Sequence, residues 1–220
     1  LATFGVDTQH ILIDDHGQTG QAIIQVDPQA ENAIILYPGA NHKINRDQID
    51  RTLGQYAPGD LLLLQNEINN LPYLIDVGHR MGMTICFNLA PFNNLARDYP
   101  LDLVKLLVVN ETEGRSLAGT DDVISMLIDR YPSTELLVTR GDGGVIYHGP
   151  EDSVSVPAAS AAPVDTTAAG DTLIGYFLAG RLEKRTVPDC LKLACQAAAL
   201  CVSRHGAMDA IPARHEVERI

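Results

Sequence analysis

Four short runs constrain this chain more than anything else in it: residues 61–64, 84–87, 106–109 and 135–138 are apolar almost throughout, without alternation. A strand with one wet face alternates apolar and polar side chains, so a run with no alternation belongs to a strand covered on both faces. Helical patterns lie between the runs. One continues to Arg80 with Pro72 early in it, and another carries the stripe Val123, Ile124, Leu127, Ile128 and Tyr131. Doubly covered strands separated by helices make an α/β layered fold with a mostly parallel sheet.

The flanks read differently. Residues 11–13, 20–26 and 33–37 are strand-like, and the last two form a hairpin joined across 27–31. A hairpin is not stable alone, so it serves as a flap or as part of a small sheet. Asn45 has the character of a cap for a short helix reaching Tyr56. Towards the other end, 143–147 and 153–156 are short strands of antiparallel character, followed by an Ala/Pro-rich connection at 157–163. Two helices close the chain, at 170–182 and 187–204. The second has a face of small residues, Ala194, Ala197, Ala198 and Cys201, suited to close packing.

Charge narrows the partners. A formal net charge of −12 over 220 residues sets up a field that opposes nucleic acid and anionic membrane surfaces. With no apolar run of membrane-spanning length, the expectation is a soluble cytoplasmic protein. The four cysteines, Cys86, Cys190, Cys195 and Cys201, lack paired spacing and are expected as buried thiols. The histidines are scattered without a zinc-ligand pattern.

Chemistry concentrates in 165–171, Asp-Thr-Thr-Ala-Ala-Gly-Asp, where a loop of small residues runs into a helix. Free N–H groups at a helix start hold anions, and Ala168, Ala169 and Gly170 leave room for one to approach. The carboxylate of Asp171 would repel a resting phosphate. It suits a base that takes a hydroxyl proton beside an anion hole, and helix capping by Asp171 or Thr172 is the competing reading. Polar or glycine-bearing segments also follow the predicted strands at 65–67, 88–91, 110–113 and 139–141. In a parallel sheet such exits gather on one edge, where ligands bind.

In this order the segments resemble the ribokinase-like sugar and nucleoside kinase family. The main motif is 165–172, with Ala168 where the family's common form has glycine; supporting segments are 19–22, 38–41, 110–113, 139–143 and 204–212. The resemblance implies a ribokinase-like three-layer α/β/α domain with a mostly parallel central sheet and part of a small β lid. Residues 1–40 would form the partial lid and strand connections, and 41–220 the kinase core. It further implies ATP-dependent phosphorylation of a sugar primary hydroxyl, ribose first. A nucleoside or other sugar kinase, or a non-catalytic nucleotide-binding relative, is the alternative.

By the same resemblance the cofactors are ATP, Mg2+ and K+. Asp171 is the base and contacts substrate, with the amides of Ala169, Gly170 and Asp171 as the anion hole. Asn110 and Glu113 look like the pair that organises magnesium and phosphates; a helix cap followed by a first-turn acid is the plainer reading. Thr139 and Gly141 match the nucleotide-side loop, with a simple turn as the competing reading. Arg140 could reach a phosphate or lie on the surface, and Gln196 could sit beside adenine or face solvent. Asp165 and Thr167, with the 201–210 region around Cys201, Arg204, Gly206 and Ala210, resemble the loops that hold potassium. Alternatively, Asp165 anchors its loop by accepting backbone N–H groups. Glu67 looks like the glutamate near the sugar, in a loop whose polar residues would equally serve as a wet turn. The implied partners are a sugar or nucleoside and a second copy bound through the lid, with no nucleic acid and no membrane. The family's amino-terminal portion, with its first strand, an acidic sugar ligand and a glycine pair, is not seen ahead of Gly5, so a fragment or a shortened relative is expected.

Overall fold

The computed structural model describes residues 1–26 and 32–219. Strands β1 (Gln21–Val26) and β2 (Asn32–Tyr37) pair antiparallel, with Gln21 opposite Tyr37, and form a small sheet of their own. The expected turn at 27–31 lies outside the described residues. Residues 11–13 form no strand: Ile13 is 88% exposed, and no neighbouring strand takes up that segment's backbone groups. Helix α1 (Arg46–Leu53) starts where Asn45 accepts a hydrogen bond from the Gln48 amide at 2.9 Å, and it ends before Tyr56.

The next elements alternate: β3 (Leu61–Gln65), α2 (Leu71–Arg80), β4 (Thr84–Asn88), β5 (Leu106–Asn110), α3 (Glu111–Ala118), α4 (Val123–Arg130) and β6 (Glu135–Thr139). The four strands lie side by side in chain order and run parallel. Two antiparallel strands, β7 (Val145–His148) and β8 (Ser153–Val156), complete the sheet, and α5 (Ala169–Leu182), α6 (Val187–Val202) and α7 (Arg214–Val217) follow.

Side-chain alternation now explains the unbroken apolar runs. Ile85, Phe87, Leu107, Val109, Leu136 and Val138 enter one core with α1 to α4. Their sequence neighbours Cys86, Leu106, Val108 and Leu137 enter a second core on the opposite face, under α5 and α6. Each large aliphatic or aromatic side chain so covered contributes about 1.5–3 kcal/mol. A three-layer α/β/α fold results. On α5, a Cβ added at Gly180 would lie 2.8 Å from the Cys190 sulfur, so the two helices can approach this closely only because one side chain is missing. All four cysteines are buried and free. No helix among the described residues is long and apolar enough to cross a membrane.

Register sets the edge that matters. Gln65 pairs with Asn88, Asn110 with Thr139, Thr139 with Val145, and Val145 with Val156. The carboxyl ends of β3 to β6 therefore share one edge with the end of β8. The two antiparallel strands return the chain to where it left β6, and the strap at 157–163 departs beside Thr139. Gly144 makes this possible. Its φ is +86°, and a side chain there would overlap the Val156 carbonyl and the Ala158 amide.

Candidate active site

The loop before α5 is held from the far side of the fold. The amides of Val164 and Asp165 both donate to the Val202 carbonyl, at 2.7 and 3.1 Å. The buried Asp165 carboxylate accepts from the Thr167 amide at 2.9 Å through Oδ1 and from the Gly206 amide at 3.0 Å through Oδ2. So anchored, the chain passes through Ala168 in the left-handed region, φ 60°, and starts the helix at Ala169. The Ala169 amide donates to Thr166 at 3.3 Å and the Thr172 amide to Ala168 at 2.9 Å. The amides of Gly170 and Asp171 have no acceptor among the described residues. Nothing lies within 4 Å of where a Gly170 side chain would begin, so the backbone there is open to an incoming group.

That open start borders a cleft of about 730 Å³, a size suited to a small-molecule ligand. Thr139, Gly141 and Gly144 line it from the sheet edge, and Thr166, Ala169 and Gly170 from the anchored loop. The remaining walls are largely apolar, with Asp142 and Ser160 as the polar exceptions: the strap residues Ala158, Ala159, Ala161 and Pro163, Leu173 on α5, and Cys195, Ala198, Ala199 and Val202 on α6. Of these, the strap was legible only as a connection, and the α6 face only as a packing surface. Their signal was the alanine content itself, which does not distinguish a helix contact from a ligand wall.

Two carboxyls lie near this edge, beside the cleft rather than in its walls. Asp171, third residue of α5, is solvent-accessible, yet the protein around it displaces enough water to hold its carboxyl above the ordinary carboxylate range. Glu67, half-buried just beyond β3, is pushed up in the same direction by burial and then by the charge of Asp171. Elements from opposite ends of the core thus bring the two acids within electrostatic reach.

Asn110 and Glu113 form a reciprocal cap at the start of α3. The Asn110 side chain accepts from the Glu113 amide at 2.8 Å, and Glu113 Oε2 accepts from the Asn110 amide at 2.9 Å. Burial raises the Glu113 carboxyl, opposed by that amide. Among the described residues no group of three or more His, Cys, Asp or Glu could hold a metal. A single carboxylate at this edge fits magnesium held mainly by water and phosphate oxygens.

Arg140 points away from the cleft into a recess of about 210 Å³ beside Glu111 and Arg115, and its Nη2 donates to the Gly143 carbonyl at 2.9 Å. Gln196, partly exposed on α6, is absent from the cleft walls, because the helix turns Cys195, Ala198 and Ala199 inward instead. Around Asp165, the buried Cys201 thiol donates weakly to the Thr167 carbonyl at 3.8 Å, and Gly206 takes φ +101°. Arg204 is drawn to Glu216 at 2.7 Å, and Ala210 is fully buried with its amide on Ala207. The structure therefore gathers Asp165, Thr167, Cys201 and Gly206, while the Arg204 guanidinium is engaged elsewhere. One carboxylate among loop carbonyls fits a monovalent cation by its donor chemistry.

A three-layer fold whose carboxyl-edge cleft is lined by a bare helix start, with two acids close by, fits an α/β protein of the small-molecule kinase class. The chain belongs to the pfkB family of carbohydrate kinases, whose family model matches residues 1–214. It is 31% identical to the ribokinase of Haemophilus influenzae, over 98% of this chain and 73% of that protein. The crystal structure of a Cryptococcus neoformans ribokinase in complex with ADP superposes with a TM-score of 0.86 at 28% identity, covering 99% of this chain and 76% of that one. An Arabidopsis thaliana ribokinase complexed with ribose and ATP gives a TM-score of 0.77 at 25% identity, over 93% and 69% of the two chains.

Proposed function

We propose that this protein transfers the γ-phosphoryl group of ATP to a primary hydroxyl of ribose or a closely similar sugar, with Asp171 as general base. The observation that carries the reading is the position of the Asp171 carboxylate in the first turn of α5, beside the unpaired amides of Gly170 and Asp171 and next to Gly170 in the cleft wall. In the step, the acceptor oxygen forms its bond to the γ-phosphorus while its proton passes to Asp171. The bond from that phosphorus to the β–γ bridging oxygen breaks, and ADP leaves. The two amides oppose the charge on the phosphoryl oxygens without reorganising, which is where such transfers gain most of their rate. Glu67 would accept a hydrogen bond from a sugar hydroxyl, and Thr139 and Gly141 would border the nucleotide.

Magnesium, when bound, would neutralise phosphate charge; Glu113, through water, and Asn110 would hold it. Potassium would sit by Asp165 and carbonyls of Thr167 and the 201–210 loops and fix the anchored loop. Residues 1–40 act as lid and connections to a core of 41–220. Ile23 and Ile35 on the small sheet are 66% and 70% exposed, an apolar surface that a second copy would cover in a cytoplasmic homodimer. The test is to incubate the purified chain with ATP, Mg2+ and K+ and a panel of pentoses, hexoses and nucleosides, and to follow products by mass spectrometry. A sugar phosphate, from ribose first, is expected. A folded, nucleotide-binding chain that phosphorylates none of them would overturn the reading.

A further inference from the structure

We infer that the cleft takes purine nucleotides without reading the base, so that adenine and guanine nucleotides serve alike as phosphoryl donors. This rests on the nucleotide-site reading above and goes beyond it to the class of donor. Adenine and guanine have nearly the same shape and opposite hydrogen-bonding edges: where adenine carries an amino donor and a ring acceptor, guanine carries a carbonyl acceptor and a ring N–H. To tell them apart, a site must present a fixed donor or acceptor to that edge. Sites built that way reject the wrong partner by about ten-thousandfold or more, whereas apolar pockets discriminate weakly.

The walls away from the phosphate-side loops hold no fixed group of this kind. The strap presents Ala158, Ala159, Ala161 and Pro163, and α6 presents Ala198 and Ala199. Gln196, the amide side chain that α6 does carry in this stretch, is not among the residues lining the cleft. Polar side chains do line the cleft. Thr139 and Thr166 belong to the sheet edge and the anchored loop, while Asp142 and Ser160 are solvent-exposed. Among the described residues, 157–163, Ser160 included, make no backbone–backbone hydrogen bond. Apart from Pro157 and Pro163, which have no N–H, their amides and carbonyls are thus both available, and either purine edge can be met.

Calorimetric titration of the chain with ADP and with GDP, in magnesium, tests this directly. The two dissociation constants should agree within about tenfold, roughly the worth of one hydrogen bond. Asp142→Ala and Ser160→Ala should each leave the ADP-to-GDP ratio within threefold of the parent, about 0.7 kcal/mol. Ala198→Leu, which narrows the wall, should weaken both nucleotides by the same factor. A preference above tenfold for either purine, a shift of that size in either polar variant, or binding of neither nucleotide overturns the inference. Strict preference for ADP with intact turnover would leave the kinase reading standing. Equal binding of both purines with no turnover on any sugar would leave this inference standing and remove the other.

Discussion

Asp165 and Gly206, 41 positions apart, are joined by a 3.0 Å hydrogen bond from the glycine amide to the aspartate Oδ2, and the same carboxylate receives the Thr167 amide at 2.9 Å. One buried side chain thereby ties the loop before α5 to the loop after α6. The start of α5 is held partly by this tie, together with the Val164 and Asp165 amides on the Val202 carbonyl. Asp165→Ala removes the acceptor of two partly buried amides and should cost about 1–3 kcal/mol. Urea denaturation measures it, and nucleotide affinity should fall in parallel.

The tie also has a pH signature. The Thr167 hydroxyl beside the carboxylate, though short of full hydrogen-bond geometry, and then the Thr167 and Gly206 amides hold the Asp165 carboxyl below its ordinary value of 3.8. A depressed folded value means stability that is present above 3.8 and lost as pH falls through the folded value. Thermal melts of the parent and Asp165→Asn across pH 2 to 6 should converge at the acid end.

Asp171 has the opposite sign. Its raised carboxyl binds a proton more tightly in the folded chain, so its contribution is present below 3.8 and lost as pH rises through the folded value. Asp171→Asn should therefore be at least as stable as the parent at pH 8, with the difference shrinking at pH 4. As the base must be ionised, turnover should rise with pH through a value above 3.8. The substitution should cut kcat by about a hundred- to ten-thousandfold with nucleotide affinity nearly unchanged.

Gly170 is helical and its side-chain space is open. Gly170→Val should fold with stability within about 0.5 kcal/mol of the parent while placing a branched side chain where a phosphoryl group would approach. Calorimetry should show nucleotide binding weakened by tenfold or more, with the melting temperature nearly unmoved.

Ala168 holds a left-handed φ of 60° that costs an L-residue about 1–2 kcal/mol. Ala168→Gly relieves the strain and enlarges the freedom of the unfolded chain, which offsets about 0.4–1 kcal/mol. The net expectation is a gain of up to about 1 kcal/mol, seen as a melting temperature higher by about 1–4 °C.

Asn110 separates capping from ligand binding. Asp caps as well as Asn, so Asn110→Asp should preserve stability, whereas Asn110→Ala should lose about 1 kcal/mol. If the phosphates lie beside this cap, the added charge of the Asp variant should raise the KM for ATP by about tenfold, and kinetics at saturating sugar will show it.

The strands, most helices and the 165–171 motif were legible because their signals are local. Apolar runs without alternation at 84–87 and 106–109 announce strands covered twice, and Asn45 announces a helix start through a bond to its own neighbour. The run at 11–13 has the same composition and forms no strand, because a strand exists only where another offers its backbone. The resemblance left Arg140 between a phosphate and the surface and Gln196 between adenine and solvent; neither is among the residues lining the cleft, and Arg140 lines the neighbouring recess.

The amino-acid sequence by itself settled most of the helices and the strands of the main sheet, which faces are apolar, and which loop carries the acid beside small residues. Those properties follow from a residue and its near neighbours along the chain. The tertiary structure alone decided that β8 returns to the edge where β6 ends, that an alanine strap becomes a wall, that Asp165 reaches Gly206, and that Glu67 senses the charge of Asp171. Each of these depends on which distant segments meet and at what rotation. A helix turning 100° per residue separates Gln196 from Ala198 on its surface, however close the two stand in the chain.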